Sequence, residues 1–176
     1  SYPVMKSNHS FDLLSCFPAS AEPGKAFTSV TYSNLYFREP ESRADQTRMM
    51  SIVTTGAETG YYVDVFRSRK EKGGDKMHDY FYHNLGQTLT LTAADGSDLN
   101  LQPTEELAFA GAHLYAYSYL YDKKVAATNK DVKATFTIDM KDKDGDDIYM
   151  NLWMKGEPDR EVFTALAPMT EGLSRT

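Results

Sequence analysis

Tyr61 to Leu91 reads YYVDVFRSRKEKGGDKMHDYFYHNLGQTLTL. Two aromatic, β-branched runs, Tyr61–Arg67 and Asp79–His83, flank a charged, glycine-containing connection (Arg69–Lys76), and a third run, Thr88–Leu91, follows Asn84-Leu85-Gly86. Runs this short, rich in Val, Tyr and Phe and bounded by glycine, predict strands and not helices. Alternation puts Tyr61, Val63 and Val65 on one face of the first strand and Tyr62, Asp64 and Phe66 on the other. Asp64 thereby shares a face with aromatic rings. A bare charge is costly there, so a cationic or backbone partner is expected.

The same reading extends in both directions. Upstream, Ser1–Glu22 is mixed, with a short apolar run at Phe11, Leu13 and Leu14, and Pro23-Gly24 signals a turn. Ala26–Arg38 alternates as a long strand, Glu39–Asp45 is a polar connection broken by Pro40, and Arg48–Thr54 is a further strand ended by the Gly56 to Gly60 turn. Downstream, TLTLTAADGSDLNL sets Asp95-Gly96 between Leu89/Leu91 and Leu99/Leu101. ATFTIDMKDKDGDDIYMNLWM sets Asp144-Gly145 between Phe136/Ile138/Met140 and Ile148/Met150/Leu152/Met154. An Asp-Gly pair supplies the positive-φ residues of a tight hairpin turn. Glu105–Ala112 could form a helical turn, whereas His113–Tyr121 and Glu161–Ala165 alternate as strands. About ten strands with almost no helix predict an all-β fold, a hairpin-rich antiparallel β-sandwich forming one domain over residues 1–176. Weak order is expected at residues 1–10 and 168–176.

Composition agrees with a folded β domain. At 176 residues the chain is one large domain or one and a half small ones. Its 41% hydrophobic content is too apolar for a disordered chain, and 12 Tyr with 9 Phe weight it towards sheet. No apolar run approaches the ~20 residues of a membrane span, and no signal-peptide pattern opens the chain. It starts at Ser1 in mid-pattern, so it is expected to be a piece of a longer protein. The single Cys16, between apolar neighbours, excludes an internal disulfide and reads as a small hydrophobe. A net charge of −6 argues against nucleic acid as a partner, and against this piece alone gripping a polyanion.

Few constellations suggest chemistry. His78 and His83 are five apart and would face opposite sides of one strand, and His9 and His113 are distant, so no histidine metal site is predicted. Asp142, Asp144 and Asp146 in DKDGDD superficially resemble a calcium loop. Counted from Asp142, however, position six is Asp147 and position twelve Trp153, where a calcium loop needs glycine and a bidentate acid. An acidic hairpin tip is the simpler reading, with adventitious calcium as its only cofactor prospect. HLYAYSYLYD places Tyr115, Tyr117, Tyr119 and Tyr121 on one strand face. Such a ladder can stack on sugar rings, or it can pack against a neighbouring sheet or domain. Arg67 opens the densest basic cluster, with Arg69, Lys70, Lys72 and Lys76. The cluster could meet uronate carboxylates or form a solvated loop. No nucleophile elbow and no phosphate loop is visible.

VDVFR (63–67) followed by HDYFYH (78–83), with REPESRADQTRMM (38–50) and LWMKGEPDREVFTALAP (152–168), resembles the β-sheet region of the heparinase II/III-like polysaccharide lyases. The resemblance implies an N-terminal helical toroid elsewhere in the same chain, followed by antiparallel sandwich layers. It implies cleavage of uronic-acid polysaccharides by β-elimination, with Tyr and His as acid and base, and a periplasmic or secreted address. In that family most catalytic residues lie on the toroid, and its HxHxD-type run and later His-Asn-Thr segment are missing here. The chain is then expected to be the later, C-terminal sandwich portion, without catalytic residues or a metal of its own. It would meet polysaccharide only through the parent protein, with Tyr115, Tyr117, Tyr119, Tyr121, His83 and Arg67 as candidate sugar contacts. His83 has two open roles: a structural histidine held by a carbonyl or an acid such as Asp64, or a contact to sugar. A self-contained carbohydrate-binding sandwich that uses the tyrosine face is the alternative, and a structural β-domain of a surface protein a third.

Overall fold

A computed structural model describes residues 10–18, 29–39, 43–74, 78–106, 119–140 and 145–167. Those residues contain ten strands and no helix, all paired antiparallel in three sheets. The all-β sandwich class expected from alternation is what the chain adopts. Its contacts divide it into two compact units, Ser1–Phe81 and Tyr82–Thr176.

The first unit is a four-stranded meander of β1 (Asp12–Phe17), β2 (Val30–Arg38), β3 (Asp45–Thr54) and β4 (Gly60–Arg69), ordered as in the chain. The β3–β4 register runs unbroken from Asp45↔Arg69 to Thr54↔Gly60. Directly paired residues share a face, so Arg48, Met50 and Ile52 lie on one side with Phe66, Asp64 and Tyr62. This side stays open, with Met50 49% and Tyr62 71% exposed.

The second unit holds two three-stranded sheets. One has the order β5 (Thr88–Ala93), β8 (Val132–Ile138), β9 (Ile148–Met154). The other has β10 (Glu161–Leu166), β7 (Tyr121–Ala127), β6 (Gln102–Pro103). They meet over a small core in which Ala126, Val132 and Val162 are buried, and Leu91, Leu99, Leu101 and Met154 pack against them. In the central strand β8, Val132 and Ala134 are buried while Lys133 and Thr135 are not. The two-residue period thus decides which side chains make the core and which make the surface.

The turn at Asp95-Gly96 forms as expected, with Gly96 at φ 83° and its N–H donating to the Ala93 carbonyl at 2.9 Å. It does not close a two-stranded ladder. β5 pairs with β8 from Thr88↔Thr137 to Ala93↔Val132 instead. Side chains divert the backbone after the turn: Asp95 accepts from the Ser97 N–H at 2.9 Å and Asp98 from the Asn100 N–H at 2.8 Å, with Asn100 at φ 55°. These local bonds compete with strand pairing, and the chain crosses to the second sheet carrying Leu99 and Leu101 into the core. The β8–β9 hairpin is present, from Val132↔Met154 to Ile138↔Ile148. Residues 141–144 of its tip lie outside the described residues, as do 107–118, where most of the helical turn and two of the four ladder tyrosines, Tyr115 and Tyr117, were expected.

Asp79–His83, expected as a strand, is not part of any ladder. Two of its rings are packed: Tyr80 on Phe66 in the first unit and Tyr82 on Phe136 in the second, each at 5.8 Å between centroids.

Behind β9, Gly156 is held against the turn between β7 and β8. Its N–H donates to Asp131 Oδ1 at 2.7 Å, and Lys155 Nζ donates to the same carboxylate. A Cβ at this position would run into the Asn129 carbonyl oxygen and sit 2.9 Å from the Asp131 nitrogen. Gly156→Ala is therefore expected to destabilise the chain by about 2 kcal/mol, since backbone must shift to admit the methyl. Urea unfolding of the two proteins checks this; coincident curves would mean that the turn yields without cost.

Candidate functional site

The first unit's most developed polar arrangement is centred on Asp64. Arg48 Nε and Nη2 donate to its two oxygens at 3.0 and 2.6 Å, a bidentate fork across β3 and β4. The Tyr80 hydroxyl donates to Oδ2 at 2.7 Å, and the guanidinium carbon lies 5.9 Å from the Tyr80 ring centroid. Asp64 thus has the cationic partner that its place among aromatics demanded. The Arg48 hydrogen bonds hold its carboxyl below the usual range, with the Tyr80 bond adding to them against partial desolvation. The same contact raises Arg48. A second tyrosine–carboxylate bond, Tyr36 Oη to Asp45 at 2.6 Å, closes the other end of the sheet and raises the Tyr36 phenol. With the acceptor and donors of both groups engaged with one another, these are cross-strand braces.

The predicted sugar contacts that are described fall on different elements. Arg67 sits exposed on β4, on the side of Tyr61, Val63 and Val65, opposite Thr47. His83 is exposed in the segment before β5. Tyr119 lies just ahead of β7 and Tyr121 begins it, both more than half exposed, while Tyr115 and Tyr117 fall outside the described residues. Asp146 is exposed next to the undescribed hairpin tip, to which Asp142 and Asp144 belong. Among the described residues no three His, Cys, Asp or Glu side chains converge as metal ligands would. A shallow cavity of about 190 Å³ is lined by Tyr82, Leu85, Phe136, Ile138, Ile148 and Met150, with Asn84 at its rim. Its walls are the inward residues of β8 and β9, so it reads as the end of the core.

A different surface concentrates the groups suited to sugar. On the outer side of β5–β8–β9, register places Thr92, Lys133 and Trp153 in one row, Thr90, Thr135 and Asn151 in the next, and Thr88, Thr137 and Tyr149 in the third. Trp153 is 63% and Tyr149 58% exposed. Lys133 Nζ lies 5.4 Å from the indole centroid. The signal for this face was present in IYMNLWM: reading Ile148, Met150 and Leu152 inward leaves Tyr149, Asn151 and Trp153 outward.

Comparison with known proteins gives one informative relative. Over 143 residues the chain is 32% identical to an endo-acting ulvan lyase of Formosa agariphila. That stretch is 79% of this chain but 17% of the lyase, so the chain spans about a sixth of its relative's length. No protein-family model matches, and no solved structure does. The chain is thus related to a segment of a polysaccharide lyase.

The Asp64 brace makes a pH-dependent contribution. Because the folded-state carboxyl titrates below its unfolded value, the stabilisation is complete above the ordinary carboxylate range, near pH 4, and is lost as pH falls through the depressed value. Asp64→Asn should cost about 1 kcal/mol at neutral pH, as fits a part-exposed pair of good geometry. Urea midpoints of the variant and the parent chain should converge as pH falls below that range. A gap that persists at low pH would assign the cost to packing and not to charge.

Proposed function

We propose that residues 1–176 form a non-catalytic β-sandwich region of a secreted or periplasmic polysaccharide lyase that cleaves a uronic-acid polysaccharide by β-elimination. The observation that carries this reading is the 32% identity, over most of the chain, to a segment of an endo-acting ulvan lyase. The substrate class offered first is therefore ulvan. The VDVFR and HDYFYH runs are the ground for placing the parent with heparinase II/III-like enzymes, whose acid and base groups sit on a helical toroid. Abstraction of a proton beside a uronate needs that carboxylate neutralised and a base aimed at the carbon. In this chain the Arg48 guanidinium is already committed to Asp64.

The region's contribution is to brace and to hold. The open side of β3–β4, with Met50, Ile52 and Tyr62 exposed, suits cover by other parts of the parent. Tyr119, Tyr121, His83 and Arg67 are exposed and are the candidate sugar contacts, and the two tyrosines serve the self-contained carbohydrate-binding alternative as well.

The test is an elimination assay on ulvan, heparan sulfate, chondroitin sulfate, hyaluronan and alginate, following the absorbance of the unsaturated uronate. The 176-residue chain should produce none, and the full-length parent should act on at least one. Turnover by the isolated chain would overturn the non-catalytic assignment. A parent inactive on every polyuronate would overturn the lyase reading.

A further inference from the structure

We infer that the outer face of β5–β8–β9 is a binding platform for a linear acidic glycan, with Trp153 and Tyr149 as stacking rings and Lys133 as the cation. Four features of the face carry this. Trp153 and Tyr149 are four residues apart on one strand and face the same side. Their Cα atoms are therefore separated by about 13 Å, enough for an extended oligosaccharide to rest on both rings. Each ring is fixed before a ligand arrives: Lys133 packs its ammonium 5.4 Å from the indole, and the Tyr149 hydroxyl donates to Asp147 Oδ2 at 3.3 Å.

Between the rings lies a hydrogen-bonding surface. Asn151 sits midway, its Oδ1 accepting from Thr135 Oγ1 at 2.8 Å, which leaves its NH2 to donate outward. Thr88, Thr90, Thr92 and Thr137 extend the hydroxyl surface to the neighbouring strands. Sugars present both weakly apolar ring faces and a fringe of hydroxyls, and aromatics alternating with amide and hydroxyl side chains match both.

Charge selects the class of glycan. The chain carries a net charge of −6, yet the nine residues of this face include no carboxylate and one lysine. At one margin Asp131 is matched by Lys155 at 3.0 Å. At the other, Asp147 is engaged by the Tyr149 hydroxyl and the Met140 N–H. The face itself thus carries a single positive charge and no negative one on an otherwise acidic molecule. Its marginal carboxylates are engaged, so an acidic glycan meets a cation here without facing a bare carboxylate. Six threonine and asparagine side chains around two rings and a lysine make a poor apolar seat for a second protein, whose interface core would be depleted in lysine.

The polyuronate specificity rests on the lyase reading, whereas the platform rests on the face itself. Trp153 is the only tryptophan in the chain, so its emission reports on this face alone. Titrating the 176-residue chain with the polyuronates named above should shift Trp153 emission to the blue and shield it from acrylamide for at least one of them. Neutral dextran should do so less. Affinity electrophoresis in the same polysaccharide should show retention weakened about tenfold in Trp153→Ala and in Tyr149→Ala. Lys133→Ala should weaken retention and flatten its dependence on salt. Tyr62→Ala removes an exposed ring from the first unit and should leave retention unchanged, and urea curves of all variants should match the parent chain. Flat emission with every polyuronate, unaltered retention of Trp153→Ala, or a blue shift that tracks self-association in sedimentation would overturn the proposal. A parent active as a lyase with flat Trp153 emission removes the platform only. An inactive parent with Trp153-dependent retention removes the lyase reading only.

Discussion

The alternation of β8 is the constraint on which the second unit depends. Val132, Ala134 and Phe136 point one way and Lys133, Thr135 and Thr137 the other, while the backbone is hydrogen-bonded to β5 on one side and β9 on the other. A slip of one residue against either neighbour would put lysine and threonine into the core and expose valine. The small buried set of Ala126, Val132 and Val162 then has to seal two sheets against each other with little volume. Alanine on β7 and β8 lets the layers approach, and Leu91, Leu99, Leu101 and Met154 fill the sides. Core and outer face are consequences of one register.

The first unit is held differently. Its sheet has continuous ladders but, apart from Ala44, none of its described apolar side chains is buried. Side-chain pairs across the strands take up part of that role: the Arg48–Asp64 fork with Tyr80, and Tyr36 with Asp45. Such pairs are worth little each at a surface, so they set register more than they supply stability. This is the pattern of a sheet suited to being covered, as the proposed place of the chain within a larger protein requires.

Much of this was legible in the sequence because hydrophobic alternation is a direct image of a two-sided sheet. Asp64 among aromatics announced its need for a cation, and β3, β4, β8, β9 and β10 fall where alternation put them. β1 was not visible as a strand because its register shifts between Leu13 and Ser15, which breaks the period. β7 was hidden because Asp122, Lys123 and Lys124 interrupt its alternation. The run 79–83 looked like a strand from composition, yet Tyr80 and Tyr82 are fixed by ring contacts and not by a ladder. At Asp95-Gly96 the turn was readable but its partner was not, since pairing of β5 with β8 is a long-range choice that local residues do not encode. The exposed pair Tyr149 and Trp153 was not read from the sequence for a related reason: it emerges only once β9 is known to turn its other side inward.

The central claim is that this β region grips an acidic glycan on the outer face of one sheet and takes no part in bond cleavage. Amide chemical-shift mapping of the isotopically labelled chain with ulvan oligosaccharides addresses it most directly. The account predicts that the shifted resonances cluster at Thr88–Thr92, Lys133–Thr137 and Tyr149–Trp153, with the oligosaccharide recovered uncleaved and the β3–β4 amides around Arg48 and Asp64 unmoved. Shifts centred on β3–β4, or an oligosaccharide shortened during the titration, would contradict it.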